Sequence, residues 1–110
     1  MTQKEVVQYQ SSDGKVPFRE WLLSLRDVTI RARIRNRVDR LQLGNFGDCK
    51  SVGRGVFEVR IHLEAGYRIY FGQDGKTIVV LLCGGDKSTQ RDDIKIAQGY
   101  WEDYKRRKRK

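Results

Sequence analysis

The period of the apolar residues changes in the middle of this 110-residue chain. From residue 57 to residue 63, apolar residues alternate with Glu58, Arg60 and His62, which is the two-residue period of a strand with one buried face. Before Gly44, apolar residues recur every three or four positions, as in amphipathic helices. A chain that carries both periods, separated by a glycine-containing connection over 44–55, is predicted to belong to the α+β class.

Two helices are predicted in the N-terminal half. The first begins at Pro17, which suits a first helical turn, and the apolar residues from Phe18 to Leu25 follow with helical spacing. The second runs from Val28 to Leu43, where the following glycine ends it. A third helix is predicted to begin near Ser88 or Thr89, with an apolar stripe at Ile94, Ala97, Trp101 and Tyr104.

The second helix also carries a row of arginines. Arg33, Arg37 and Arg40 share one side of it because their spacing follows the helical repeat. This side could bind phosphate, or it could be an ordinary solvated face.

Four strands are predicted, at 5–10, 57–63, 67–71 and 77–83. The element order is therefore β-α-α-β-β-β-α, with the last three strands in an antiparallel meander. A loop at 64–66 places Arg60 opposite Tyr70, and a turn at Asp74-Gly75 places Phe71 opposite Ile78. One face of this sheet is then apolar, and the helices are expected to pack on that face alone.

The opposite face of the predicted sheet is polar. It carries Glu58, Arg60, His62, Arg68 and Tyr70 beside an apolar floor of Val79 and Leu81. Guanidinium groups suit phosphate oxygens, and an aromatic ring beside apolar residues suits a nucleotide base, so this face is a candidate RNA-binding surface. Cross-strand ion pairs on a wet sheet face would explain the same pattern. Lys87, between the last strand and the last helix, can reach the end of this face.

Basic residues outnumber acidic ones by 23 to 14, a net charge of +9, and residues 105–110 are all basic. We predict one domain over 1–104 and a basic C-terminal tail over 105–110, which is either a frayed terminus or an arm that binds phosphate backbones.

No cofactor or metal site is predicted. Cys49 and Cys83 stand far apart and His62 is the only histidine, so a zinc site lacks ligands. Cys83 ends an apolar run and is expected to be a core residue. Without an apolar N-terminal stretch or membrane span in the sequence, the expected location is the cytoplasm.

Three motifs carry a resemblance to a known family. Residues 55–61 (GVFEVRI), 66–71 (GYRIYF) and 84–90 (GGDKSTQ), followed by a helix that contains Tyr-Trp, resemble the RelE/ParE superfamily, and within it the HigB-like, phage-derived killer proteins of addiction modules. The resemblance covers most of the chain. It implies a RelE-like, microbial-RNase-type fold and a toxin of a type II toxin-antitoxin system.

The resemblance also implies roles for individual residues. In RelE-type toxins, basic side chains on the central strands and before the last helix hold the mRNA phosphate, and the matching positions here are Arg60, Arg68 and Lys87. Glu58 replaces a further basic residue, and Asp93 stands where a tyrosine is expected. The general acid and base are therefore sought among Glu58, His62 and Tyr70.

The implied activity is that of a metal-independent, ribosome-dependent mRNA endoribonuclease. The implied partners are mRNA, the ribosome and a helix-turn-helix antitoxin, without a membrane. Two alternatives remain open: an inhibitor of DNA gyrase of the ParE type, which has no nuclease chemistry, and an inactive phage remnant that only binds its antitoxin.

Overall fold

The computed structural model describes residues 3–63 and 65–108. Glu64, the first residue of the predicted loop at 64–66, lies outside the described residues, as do residues 1–2 and the last two residues of the predicted tail. The α+β class is confirmed, because three α-helices pack on one five-stranded sheet. No helix in the described part of the chain is long and apolar enough to cross a membrane.

The elements follow one another as β1 (Glu5–Gln8), α1 (Pro17–Ser24), α2 (Val28–Gln42), β2 (Cys49–Gly53), β3 (Val56–Ile61), β4 (Tyr67–Asp74), β5 (Ile78–Gly85), a 3₁₀ turn (Lys87–Thr89) and α3 (Gln90–Lys108). The strand order in the sheet is β1-β5-β4-β3-β2. The sheet is mixed, because β1 runs parallel to β5 while the other neighbours are antiparallel. The antiparallel meander predicted for the last three strands is confirmed, but the expectation of an antiparallel sheet fails at β1.

The two N-terminal helices follow their local sequence signals. Proline stands at the start of α1, as predicted. The carboxylate of Asp27 accepts hydrogen bonds from the backbone N–H groups of Thr29 and Ile30, which caps α2. Just beyond the end of α2, Gly44 has a φ of 83°, a left-handed conformation that favours glycine.

The sequence prediction missed strand β2. Its sequence, CKSVG, contains few apolar residues, and the structure places it at the edge of the sheet, where it pairs only with β3. Its register is irregular between Ser51 and Gly53. Backbone hydrogen bonds to β3 define this strand, and side-chain periodicity does not reveal them.

Helices cover both faces of the sheet, so the prediction of helices on one face was wrong. α1 and α2 pack on the first face, in a core that includes Phe18, Ile34 and Phe71. α3 packs on the second face, where Trp101 lies against Gly72 of β4. The reason is that β4 and β5 carry apolar residues on both faces, and the second apolar surface also has to be removed from water.

The register of β3 and β4 differs from the prediction by two residues. β3 ends at Ile61 and pairs it with Tyr67, so the connection is two residues longer than predicted. Because side chains alternate with a period of two, each residue keeps its predicted face. Arg60 consequently lies opposite Arg68, and Tyr70 lies opposite Glu58.

Next to the turn, the register of β5 differs from the prediction by three residues, which moves the side chains of residues 78–81 to the other face. Phe71 pairs with Leu81 instead of Ile78, and the pairing is irregular beside Tyr70. Val79 and Leu81 therefore lie in the core under α1 and α2. The predicted apolar floor on the polar face was wrong.

α3 continues past Tyr104, so the first four residues of the predicted tail are helical. All four form ion pairs. Lys105 pairs with Glu102, Arg106 and Arg107 pair with Asp103, and Lys108 pairs with Asp74 of β4.

Candidate functional site

Two arginines face each other at the loop end of the β3–β4 hairpin. Arg60 and Arg68 are direct partners in the β3–β4 pairing, and both project to the face that carries α3 further along. The side chain of Arg60 is 38% exposed and that of Arg68 is 10% exposed. The structure thus brings two predicted site residues together at the edge of the second core, the apolar cluster that α3 covers around Trp101.

The carboxylate of Glu58 lies beneath these two guanidinium groups. Glu58 Oε1 is 3.4 Å from Arg60 Nε, and Oε2 is 3.6 Å from Arg68 Nε. Tyr70 Oη donates to Oε2 at 3.0 Å, and Gln90 Nε2 at the start of α3 donates to the same oxygen at 2.9 Å. Glu58 is fully buried, so its negative charge is used inside the protein to hold neighbouring groups.

Tyr70 is also fully buried under α3. Burial, and next the negative charge of Glu58, raise the pKa of the Tyr70 hydroxyl well above its usual range. Neither Glu58 nor Tyr70 reaches the surface, which differs from the open polar face expected from the sequence. Their arrangement supports a role in positioning Arg60 and Arg68.

The loop between β3 and β4 brings a third cation to the site. Arg68 Nη1 donates to the carbonyl oxygen of Gly66 at 2.9 Å, and the backbone N–H of Lys87 donates to the carbonyl oxygen of Ala65 at 3.2 Å. Gly66 has a φ of 66°, and a β-carbon there would lie 3.2 Å from Lys87 Cβ and 3.6 Å from Arg68 Nη1. The exposed Lys87 and the guanidinium of Arg68 therefore meet at this glycine.

His62 lies at the exposed edge of the same site. Its Nε2 is 2.7 Å from Asp48 Oδ2, and its side chain is 75% exposed. Asp48 immediately precedes β2 and also accepts a hydrogen bond from the backbone N–H of Arg60 through its carbonyl oxygen. An exposed imidazole oriented by a carboxylate is an arrangement that can transfer protons.

Sequence reasoning missed two contributors to the site, Asp48 and Gln90. Asp48 reaches His62 only because β2 pairs with β3, and no sequence signal indicated that strand. Gln90 was noted only as part of a motif, and its contact with Glu58 depends on α3 packing on this face.

A small hollow of about 90 Å³ is lined by Arg60, Ile61, His62, Gly66, Tyr67 and Arg68. Its polar lining is cationic, which suits an anionic group such as a phosphate.

Comparison with known proteins assigns the family. Residues 20–101, which include all of these site residues, match the family described as phage derived protein Gp49-like (DUF891). The chain belongs to this Gp49-like family. An uncharacterized protein of Haemophilus influenzae is 52% identical over 81 residues, which cover 74% of this chain and 82% of that protein.

The Gp49-like family is a RelE/HigB-like toxin family, which agrees with the broader part of the resemblance described above. The α+β architecture is compatible with a RelE-like fold. In this Gp49-like protein, Asp93 stands where the resemblance leads one to expect a tyrosine. Its carboxylate lies against Gly85 and accepts a hydrogen bond from Thr89 Oγ1 at 2.6 Å. Burial raises the pKa of Asp93, and the hydrogen bond from Thr89 partly offsets this increase.

Proposed function

We propose that this Gp49-like protein is the toxin of a type II toxin-antitoxin system, and that it cleaves mRNA on the ribosome without a metal ion. The direct pairing of Arg60 with Arg68 above the buried Glu58 carries this proposal. Two adjacent guanidinium groups repel each other, and a buried carboxylate that holds both offsets this cost while leaving Arg60 partly exposed. Such a site is preorganised to bind an anion.

The proposed reaction is the attack of a ribose 2′-OH on the adjacent phosphate. A bond forms between the 2′ oxygen and phosphorus, and the bond from phosphorus to the 5′ oxygen of the next nucleotide breaks. The products are a 2′,3′-cyclic phosphate and a 5′-hydroxyl. Arg60 and Arg68 would stabilise the charge that develops on the pentacoordinate phosphorus, where preorganised donors contribute most. Lys87 would bind the phosphate or neutralise the leaving oxygen.

In this proposal His62 accepts the proton of the 2′-OH, and Lys87 donates a proton to the leaving 5′ oxygen. His62 is exposed beside Arg60, and Asp48 orients its ring. Glu58 and Tyr70 are positioning residues in this proposal, because both are fully buried. They support the guanidinium groups, and neither is expected to contact the substrate.

A growth assay with mapping of mRNA ends tests the proposal. Induction of the wild-type protein should arrest growth and produce cuts at defined codon positions in primer extension. The variant Arg60→Ala/Arg68→Ala should remove both effects, because loss of one charge-stabilising donor alone costs about 10²–10³ in rate. The variant Arg19→Ala/Arg26→Ala removes the same charge from exposed residues outside the site and should remain toxic.

The other outcomes identify the alternatives. A DNA-damage response with intact mRNA would favour the gyrase inhibitor, and wild-type protein that does not slow growth would favour the inactive remnant.

Because Arg68 is nearly buried, the circular dichroism spectrum and urea midpoint of each variant must be measured. The variant His62→Gln, at an exposed position, tests the site with little risk to folding. A folded, fully toxic Arg60→Ala/Arg68→Ala variant would refute the proposed site.

We further propose an adjacent gene for a helix-turn-helix antitoxin, whose co-expression should restore growth.

A further inference from the structure

A second cationic surface lies next to the proposed site, between α2 and the end of β3. It is a groove of about 420 Å³, which we call the α2 groove. Its lining consists of Arg33, Asn36, Arg37 and Arg40 from α2, Asp48, and residues 60–63. Four guanidinium groups and one imidazole therefore surround a single carboxylate.

The positive charge in the α2 groove is poorly compensated. The carboxylate of Asp48 is bound by His62. Within residues 3–63 and 65–108, Arg33, Arg37 and Arg40 form no ion pair with a carboxylate. The basic residues at 105–108 differ in this respect, because each has an acidic partner. Unpaired guanidinium groups gathered around a concave surface are complementary to a polyanion.

The groove is also partly preorganised. The guanidinium of Arg37 lies over Gly47, where a β-carbon would be 2.3 Å from Nη2, and Nη2 donates to the carbonyl oxygen of Phe46 at 3.3 Å. Arg33 and Arg40 flank it on the same helix face and are exposed. One arginine is therefore fixed against the backbone, and two can adjust to a ligand.

The α2 groove is continuous with the proposed site. Arg60 and His62 line the groove, and the same two residues line the small hollow beside Arg68. A ligand bound at Arg68 that extends past Arg60 enters the groove. A single phosphate would occupy only one of these spaces, whereas a strand with repeated phosphates can occupy both.

We propose that the α2 groove binds backbone phosphates of the single-stranded RNA that flanks the phosphate held by Arg60 and Arg68. The protein would then contact a segment of several nucleotides. This proposal rests on the proposed function, because it assigns the same RNA strand to both spaces.

Binding of uncleavable RNA tests the proposal. The probes are a single-stranded trinucleotide and a dodecanucleotide with 2′-O-methyl groups, which lack the attacking hydroxyl. Their affinity is measured by fluorescence anisotropy at several salt concentrations. Each phosphate contact to a single strand contributes about −0.7 to the slope of log affinity against log salt concentration. Between about 1 M and 0.1 M salt, one such contact therefore raises the affinity about fivefold.

The test variant is Arg33→Gln/Arg40→Gln. We expect it to bind the dodecanucleotide about 25-fold more weakly at about 0.1 M salt, with a slope smaller by about 1.4. Its affinity for the trinucleotide should change less than twofold, on the expectation that a ligand of this length is held at Arg60 and Arg68. The matched control is Arg35→Gln/Lys95→Gln, which removes two exposed cations that do not line the groove, and it should bind both probes like the wild type.

Each result has a defined meaning. Equal losses in the test and control variants, or the same loss for both probe lengths, would overturn the groove proposal. If the test variant loses dodecanucleotide binding as expected while the wild type never cuts mRNA, the groove stands and the nuclease proposal fails. If the Arg60→Ala/Arg68→Ala variant alone abolishes cutting and the groove variant binds normally, only the groove proposal fails.

Discussion

The substitution Glu58→Gln should strongly destabilise the protein although it changes few atoms. Glu58 is fully buried and holds Arg68, whose side chain is only 10% exposed. Glutamine keeps an oxygen that can accept from Tyr70, but it removes the negative charge and introduces an amide N–H₂ among other donors. Arg68 is then left as a nearly buried charge without a carboxylate partner, held only by its hydrogen bond to Gly66.

The expected loss can be worked out from the exposures. Removing one partner of a buried pair costs about 3–5 kcal/mol. Lys50 and Arg60 also contact Glu58, but they are 52% and 38% exposed and can turn towards water, so Arg68 dominates the cost. We therefore expect the lower value, about 3 kcal/mol, or a decrease in Tm of about 12 °C for a domain of this size.

Urea unfolding followed by tryptophan fluorescence measures this loss, and a double-mutant cycle assigns it. If the unpaired Arg68 is the cause, Glu58→Gln/Arg68→Gln should be less destabilised than the sum of the single variants, by at least about 1 kcal/mol. The control Glu102→Gln breaks an exposed pair with Lys105 and should cost less than about 1 kcal/mol. A loss below about 1 kcal/mol for Glu58→Gln, or additive single effects in the cycle, would refute the reasoning.

Two further predictions concern the second core. Gly72→Ala should lower the free energy of unfolding by about 1–3 kcal/mol, because its β-carbon would lie 2.4 Å from the Trp101 ring. In Gly99→Ala on α3, the new β-carbon meets open space, so this variant should raise the free energy of unfolding by up to about 1 kcal/mol. Urea midpoints that place the two variants in the opposite order would contradict the packing of α3. Burial and the hydrogen bond to Asp74 raise the pKa of Tyr104 from 10.0 to about 12, so its contribution is full below pH 10.0 and is lost as the pH rises towards about 12. The stability difference between the wild type and Tyr104→Phe should shrink over that range, and a difference independent of pH would contradict the shift.

Much of the local structure could be predicted from the sequence. α1 begins at Pro17 and α2 at Val28, as expected from proline preference and apolar spacing. Cys83 was expected in a core and is buried, where burial raises its pKa to about 12. These features depend on residues a few positions apart, so the sequence carries their signal directly.

The site could be predicted in part. Arg60 and Arg68 were expected on one face, and they share it because the error in their register was an even number of residues. The same reasoning placed Val79 and Leu81 on the wrong face, because Asp74 pairs with Ile78 and the connection spans 75–77, which shifts this part of β5 by three residues. A turn that is one residue longer than its sequence signal indicates moves the side chains that follow it to the other face.

By itself, the sequence determined the three helices, four of the five strands, and which side chains of β3 and β4 share a face. Only the tertiary structure decided that α3 covers the second face, that β2 pairs with β3 at the sheet edge, and that Asp48 and Gln90 reach His62 and Glu58. The physical reason is the distance along the chain over which each effect acts. Periodicity and caps act over one or two turns of chain, whereas strand pairing uses backbone groups common to nearly every residue, and the choice among pairings depends on which apolar surfaces remain to be buried.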